Sequence, residues 1–127
     1  MTQEDKELLL KDLTARLPYG VKIELTWWVM GEGIGINTTL GPECIEELLN
    51  DEDGDTEIKP YLRPMSSMTE EQKEKYCSLQ QKVIYNNKGL VNSDIMEYVN
   101  WGYKNHIDIN NLIPMGLAID ATGLNIY

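Results

Sequence analysis

The amino-acid sequence predicts an α+β fold: an N-terminal helix, a small antiparallel sheet of about three strands, then two or three C-terminal helices. Three observations carry this expectation. Apolar residues recur at helical spacing before Pro18, alternate with a period of two from Val21 to Leu40, and return to helical spacing after a capping signal at Thr69. Strands do not alternate with crossover helices, which argues against a parallel α/β sheet.

In the first element Thr2 and Asp5 stand at capping distance, and Leu9, Leu10, Leu13 and Leu17 form one stripe until Pro18 and Gly20 end it. From Val21 the residues Ile23, Leu25, Trp27 and Val29 alternate with Lys22, Glu24, Thr26, Trp28 and Met30, the pattern of a half-buried strand. Gly31-Glu32-Gly33 supplies the freedom for a reversal, and Ile34, Ile36, Thr38 and Leu40 make the return strand of a hairpin. Cys44, Ile45, Leu48 and Leu49 fit one or two helical turns, followed by an exposed acidic turn from Asn50 to Asp55 centred on Gly54. Glu57 to Arg63 reads as a candidate third strand, and Pro60 within it predicts a sheet edge or an irregular extended segment.

Thr69 with Gln72 forms a capping box for a helix from Glu70 to about Tyr85, acids first and lysines later, as the helix dipole favours. Asn86 to Gly89 interrupts it. Asn92 or Ser93 starts a further helix carrying Ile95, Met96, Tyr98, Val99 and Tyr103 and ending near Asn105. Pro114, Gly116 and Gly123 leave the tail after Ile107 without an assigned element. No repeat or linker divides the chain, so its 127 residues are expected to form a single domain, residues 1–127.

The chain carries a formal net charge of −10, which opposes direct nucleic-acid binding because phosphate contacts need clustered Lys and Arg. Most of the excess lies in one stretch: Glu43, Glu46, Glu47, Asp51, Glu52, Asp53, Asp55 and Glu57, with no base among residues 43–57. No apolar run is long enough to cross a bilayer, and Met1 to Leu17 lacks the plan of a signal peptide, so a soluble cytoplasmic protein is expected. Cys44 and Cys77 are expected to be reduced, structural thiols.

The acidic stretch does not fit a calcium loop. Counting back from Gly54 as the sixth position puts Leu49 first and Pro60 twelfth, where ligands are required. A looser cation site at Asp51, Asp53 and Asp55 competes with a solvated acidic loop, and the loop takes preference. Gly31 to Gly35 is not read as a phosphate-binding loop, because the residues after it alternate like a strand. His106 is the only histidine and has no local triad partner, and no paired-histidine or CxxC spacing is present. No catalytic residue, metal or cofactor is therefore assigned, and the chain is not expected to be an enzyme. Trp27 and Trp28 must point to opposite faces of their strand, so helices on both faces of the sheet are the simplest way to cover them.

The segment IKPYLRPMSSMTEEQ from Ile58 to Gln72, with EYVNWGYKNHIDINNLIPMGLAID near the C-terminus and KDLTARLPYGVKI near the N-terminus, resembles a family of small uncharacterised proteins. That family is associated with gut Bacteroides and their phages or mobile elements. The resemblance covers most of the chain, and its specific part is Pro60 to Thr69. Members carry an aromatic at the position of Ile107 and a charged residue at that of Pro114, and lack much of the Trp27 to Gly35 segment. The resemblance implies a provenance, and no functional residue carries over from it.

The leading functional expectation is a non-enzymatic accessory protein that binds an unidentified protein partner through Trp28, Tyr61 and Arg63, residue types enriched where proteins meet. A second is electrostatic: Glu47, Asp51, Asp53 and Asp55, within the acidic stretch, imitate a phosphate row and occupy the groove of a DNA- or RNA-handling enzyme. That reading requires the carboxylates to be held in regular order. A third is a small-ligand or enzymatic site around His106, Tyr103 or Cys77, which requires a concave pocket.

Overall fold

A computed structural model describes residues 2–51, 54–85 and 92–127. Helix α1, Gln3–Arg16, opens on the expected capping box: Thr2 Oγ1 accepts from the Asp5 amide at 3.0 Å, and an Asp5 carboxylate oxygen accepts from the Thr2 amide at 3.4 Å. Its buried stripe holds Leu9 and Leu13 together with Asp12 and Arg16. After a short 3-10 turn over Leu17–Tyr19, strands β1, Lys22–Val29, and β2, Glu32–Thr39, pair antiparallel from Lys22↔Thr39 to Val29↔Glu32. The reversal falls at Met30 and Gly31, with φ of 52° and 81°, slightly ahead of the glycine segment expected to make it. Two central residues with positive φ match the right-handed twist of the flanking strands.

Helix α2, Pro42–Asn50, starts with proline in its first turn, where no amide hydrogen is missed, and buries Cys44 and Leu48. The chain then turns around Asp51, whose two carboxylate oxygens accept from the amides of Asp55 (3.0 Å) and Thr56 (3.1 Å). Strand β3, Thr56–Leu62, comes next. Helices α3, Glu70–Tyr85, and α4, Asn92–Lys104, pack through Tyr76, whose hydroxyl lies 2.7 Å from that of Tyr98 and whose ring sits 6.0 Å from Trp101. The Thr69–Gln72 capping box closes as expected. The break expected at Asn86 to Gly89 lies outside the described residues. Strand β4, Ile119–Asp120, completes the sheet.

The sheet order is β2-β1-β3-β4, with β4 parallel to β3 through Tyr61↔Ile119 and Leu62↔Asp120. The fold is α+β with an N-terminal helix, as expected; among the described residues the sheet has four strands against the expected three or so, and it is mixed because β4 runs parallel to β3. The strand order corrects the edge position expected of β3, which is an inner strand with Pro60 buried. The register explains how proline is tolerated there. Trp28 donates to Asp55 O at 2.8 Å, so residues 57, 59 and 61 are the ones whose backbones turn toward β1. Pro60 nitrogen therefore faces away from β1, and β4 begins its pairing only at Tyr61, so no ladder bond is lost.

Helices α1 and α2 and the tail cover one face of this sheet. Leu9, Leu13, Ile23, Leu25, Leu48, Ile58, Leu62 and Leu112 form its core, each buried side chain contributing about 2 kcal/mol by transfer from water. The opposite face carries Glu24, Thr26 and Trp28 of β1, Gly33, Gly35 and Asn37 of β2, and Glu57, Lys59 and Tyr61 of β3. Trp28 is 47% exposed, so among the described residues no helical layer of the kind expected covers it. Among the described residues no helix is long and apolar enough to cross a membrane.

Candidate functional site

Trp28, Tyr61 and Arg63 share the open face of the sheet but do not form one surface. The Tyr61 hydroxyl is taken up by Asn37 Oδ1 at 2.8 Å and by a Glu24 carboxylate oxygen at 3.4 Å. Burial, with the Glu24 charge and hydrogen bond behind it, raises its pKa. Arg63 donates from Nη2 to Ser67 O and to Gln72 Oε1, both at 3.3 Å, and so ties β3 to the start of α3. Only Trp28 keeps an unengaged surface. Three consecutive atoms of its six-membered ring lie 3.1, 3.2 and 3.3 Å from where a Cβ on Gly33 would stand. Near-equal distances place the ring's face over Gly33, so glycine at 33 lets the indole lie flat across the β1–β2 pair.

The other face of the same hairpin holds a feature that alternation alone did not reveal. Ile34 and Ile36 pair with Trp27 and Leu25 and point to the core side, yet they are 56% and 44% exposed. Strand β2 reaches past the end of the core, so its inward-facing side chains have nothing above them. Next to them Trp27, Glu43, Glu46, Glu47, Asn50, Asp51 and Thr56 line a shallow groove of about 510 Å³. Its floor is apolar at Trp27, continuing to its cross-strand partner Ile34, and its wall is the acidic side of α2.

Strand β2 is also an edge. Leu40 donates to Val21 O at 2.9 Å, and with this register Ile34, Ile36 and Thr38 direct their backbone groups to β1. The N–H and C=O groups of Gly33, Gly35, Asn37 and Thr39 face outward, and the two glycines present no side chain beside them. The departure from the expected contact surface has a physical cause: Tyr61 and Arg63 spend their polar ends on neighbours within the chain, while β2 extends beyond its helices.

The acidic residues divide into two groups. Glu43, Glu46 and Glu47 stand on successive turns of α2, held in order by the helix. Asp51 is a turn-closing residue with both oxygens engaged, Glu57 pairs with Lys59 at 3.0 Å, and Asp53 lies outside the described residues. Asp55 is an exposed turn residue that gives its amide to Asp51 and its carbonyl to Trp28. The carboxylates of Asp51 and Asp55 are thus not gathered for a cation, since Asp51 binds backbone amides.

His106 is half-buried beside Arg63. The Arg63 amide donates to His106 O at 2.8 Å and the Asp108 amide to Arg63 O at 2.9 Å, which clamps the segment to the end of β3. Tyr103 is buried nearby, with Arg16 Cζ 4.9 Å from its ring centroid. Cys77 is an exposed free thiol on α3 and does not join them. No family model, no curated protein and no solved structure matches this chain.

Proposed function

We propose that this protein is a non-enzymatic binding module whose docking element is the β1–β2 arm, and that its protein partner contributes an extended segment in which apolar residues alternate with Lys or Arg. One observation carries the reading: a free-edge strand whose Ile34 and Ile36 stand uncovered beside the ordered carboxylates of Glu43, Glu46 and Glu47. A segment added to β2 would take main-chain hydrogen bonds from Gly33, Gly35 and Asn37. Its apolar side chains would continue over Ile34 and Trp27, and its basic ones would meet the α2 wall. Trp28, flat on the opposite face, would meet the alternate side chains of the same segment. The provenance implied by the Ile58–Gln72 resemblance, a phage or mobile element, suits a small accessory protein of this kind.

The test is affinity capture from the native host with the wild-type chain and with Ile34→Glu/Ile36→Glu. Both isoleucines are about half exposed, so the double variant still folds, with a modestly lowered melting temperature, and loses its partner by tenfold or more. Gly35→Pro removes one outward amide without touching the β1 ladder, and it weakens the same complex. Equal capture by all three proteins refutes the docking element.

A second reading rests on the same helix: Glu43, Glu46 and Glu47 in regular order imitate a short phosphate row for a nucleic-acid-handling enzyme. It predicts binding that collapses with salt and ignores the isoleucines. The arm predicts the reverse weighting.

A further inference from the structure

Although the chain carries 21 acids against 11 bases, one cleft, of about 550 Å³, is lined by Arg63, Lys104, His106, Ser67, Thr122 and Tyr127 among others and by no Asp or Glu. It lies where the end of β3, the end of α4 and the C-terminal tail meet. Its volume falls within the range of about 300–1,000 Å³ usual for small-ligand sites.

No Asp or Glu side chain lines this cleft beside its cations. Arg63 gives its guanidinium to neutral acceptors, the Ser67 carbonyl and the Gln72 amide oxygen, and Lys104 ends α4. Among the described residues neither pairs with a carboxylate. Behind them Arg16 is fully buried, and its one carboxylate partner, Asp12, is shared with Asn110.

His106 is held for this cleft at a cost. Its φ of 60° lies in the left-handed region that non-glycine residues seldom occupy, and its ring stacks on Tyr127 at 3.8 Å with 10° between the planes. Its Nδ1 is buried with no hydrogen-bond partner among the described residues. A buried polar nitrogen left unmatched is expensive, a further sign that the ring is constrained at this position. Burial, then Arg16, then Arg63 push the imidazole pKa down to about 4, so the ring is neutral at pH 7.

We propose that this cleft binds the phosphate group of a small phosphate monoester, held by Arg63, Lys104 and His106. A phosphate monoester brings a charge of about −1.5 to −2 and three free oxygens to the guanidinium, the ammonium and the imidazole at once, more charge than a single carboxylate brings. The remaining volume, bordered by Thr122, Asn125 and the Tyr127 ring, accommodates the organic part. This site is separate from the β2 edge and stands or falls independently of it.

The experiment is a nuclear magnetic resonance titration of the full chain with ribose 5-phosphate, with ribose as control and inorganic phosphate as competitor, at constant ionic strength. The single histidine gives one set of ring signals to follow. Saturable shifts at His106 and at the amides of Lys104 and Thr122 are expected for ribose 5-phosphate, with a Kd in the millimolar range or tighter, reversed by inorganic phosphate.

Binding also raises the His106 pKa, since the anion offsets Arg16 and Arg63, the cations that lower it, while the Tyr127 hydroxyl, pushed up to about 12 by burial, stays neutral. Lys104→Gln, at an exposed residue, weakens binding by about fivefold without changing the fold, and Arg63→Gln by more. The proposal is overturned if ribose and ribose 5-phosphate behave alike, if inorganic phosphate fails to compete, or if Lys104→Gln binds as well as the wild type.

Discussion

Replacing Asp12 by alanine is the sharpest test of how this fold is held. Asp12 and Arg16 are both fully buried, one helical turn apart on α1. One Asp12 oxygen accepts from Arg16 Nε at 2.7 Å, and the other accepts from Arg16 Nη2 at 3.1 Å and from Asn110 Nδ2 at 2.8 Å. Arg16 Nη2 also reaches Ile107 O at 2.6 Å, so the pair joins α1 to the segment after α4. With a partly polarisable interior, two unit charges at this distance attract by several kcal/mol, and most of that is offset by the loss of hydration.

Removing the carboxylate leaves the guanidinium buried and unpaired, at a cost of about 3–5 kcal/mol, and frees Asn110 as well. Against a total of roughly 5–15 kcal/mol, Asp12→Ala moves the urea midpoint down by about 2 M at a slope of roughly 2 kcal/mol/M. Asp12→Leu/Arg16→Met removes both charges and recovers at least half of the loss, with the Ile107 carbonyl left as the residual cost. A single substitution costing under about 1 kcal/mol refutes the reasoning, for it would mean that Arg16 reaches water.

Three further outcomes rest on the same geometry. His106 is neutral in the folded chain with a pKa near 4 against about 6.5 unfolded. Its contribution is complete above pH 6.5 and is lost as the pH falls toward 4, by about 2 kcal/mol or less after screening; urea midpoints at pH 7 and pH 5, compared with those of His106→Gln, measure it. Tyr127→Phe removes a hydroxyl that accepts from the Lys22 amide at 2.8 Å and donates to Tyr61 O at 2.7 Å. The loss is about 1 kcal/mol, with faster hydrogen exchange at Lys22. Gly33→Val pushes the Trp28 indole off its strand, seen as a fluorescence change with at most about 1.5 kcal/mol of destabilisation.

Local signals were legible where the chain satisfies its own backbone within a few residues. The Thr2–Asp5 and Thr69–Gln72 boxes, and the period-two run from Val21, all rest on neighbours in sequence. Strand β4 was not legible: two residues, Ile119 and Asp120, carry no period, and the turn that leads back to β3 is held by a side-chain contact, the Asp108 carboxylate accepting from the amides of Leu112 and Ile113. Pro60 misled for a related reason, since its missing donor matters only if a neighbour stands opposite, and β4 starts one residue too late to be that neighbour. The buried pair had a signal: Leu9, Asp12, Leu13 and Arg16 share one helical stripe, so two charges sat in plain view on the apolar face.

The candidate sites divide along the same line. The acidic stretch looked like one feature because its residues adjoin in sequence, but the fold takes it apart. Asp51 becomes a turn clasp, Glu57 a same-face partner of Lys59 two residues on, and Glu43, Glu46 and Glu47 the wall of the groove beside Trp27. The cleft at His106 shows the converse, with Arg63 far away in sequence but joined by main-chain hydrogen bonds to His106 and Asp108, a parallel bridge centred on Ile107 that no spacing rule anticipates. Charge is therefore segregated in this small chain: carboxylates border the apolar arm, and the unpaired cations gather at the opposite end of β3, about 20 Å along a strand of seven residues. An extended basic segment and a small phosphate monoester would be attracted to different ends of one sheet. Each proposed site repels the other's ligand, so occupation of one need not compete with occupation of the other.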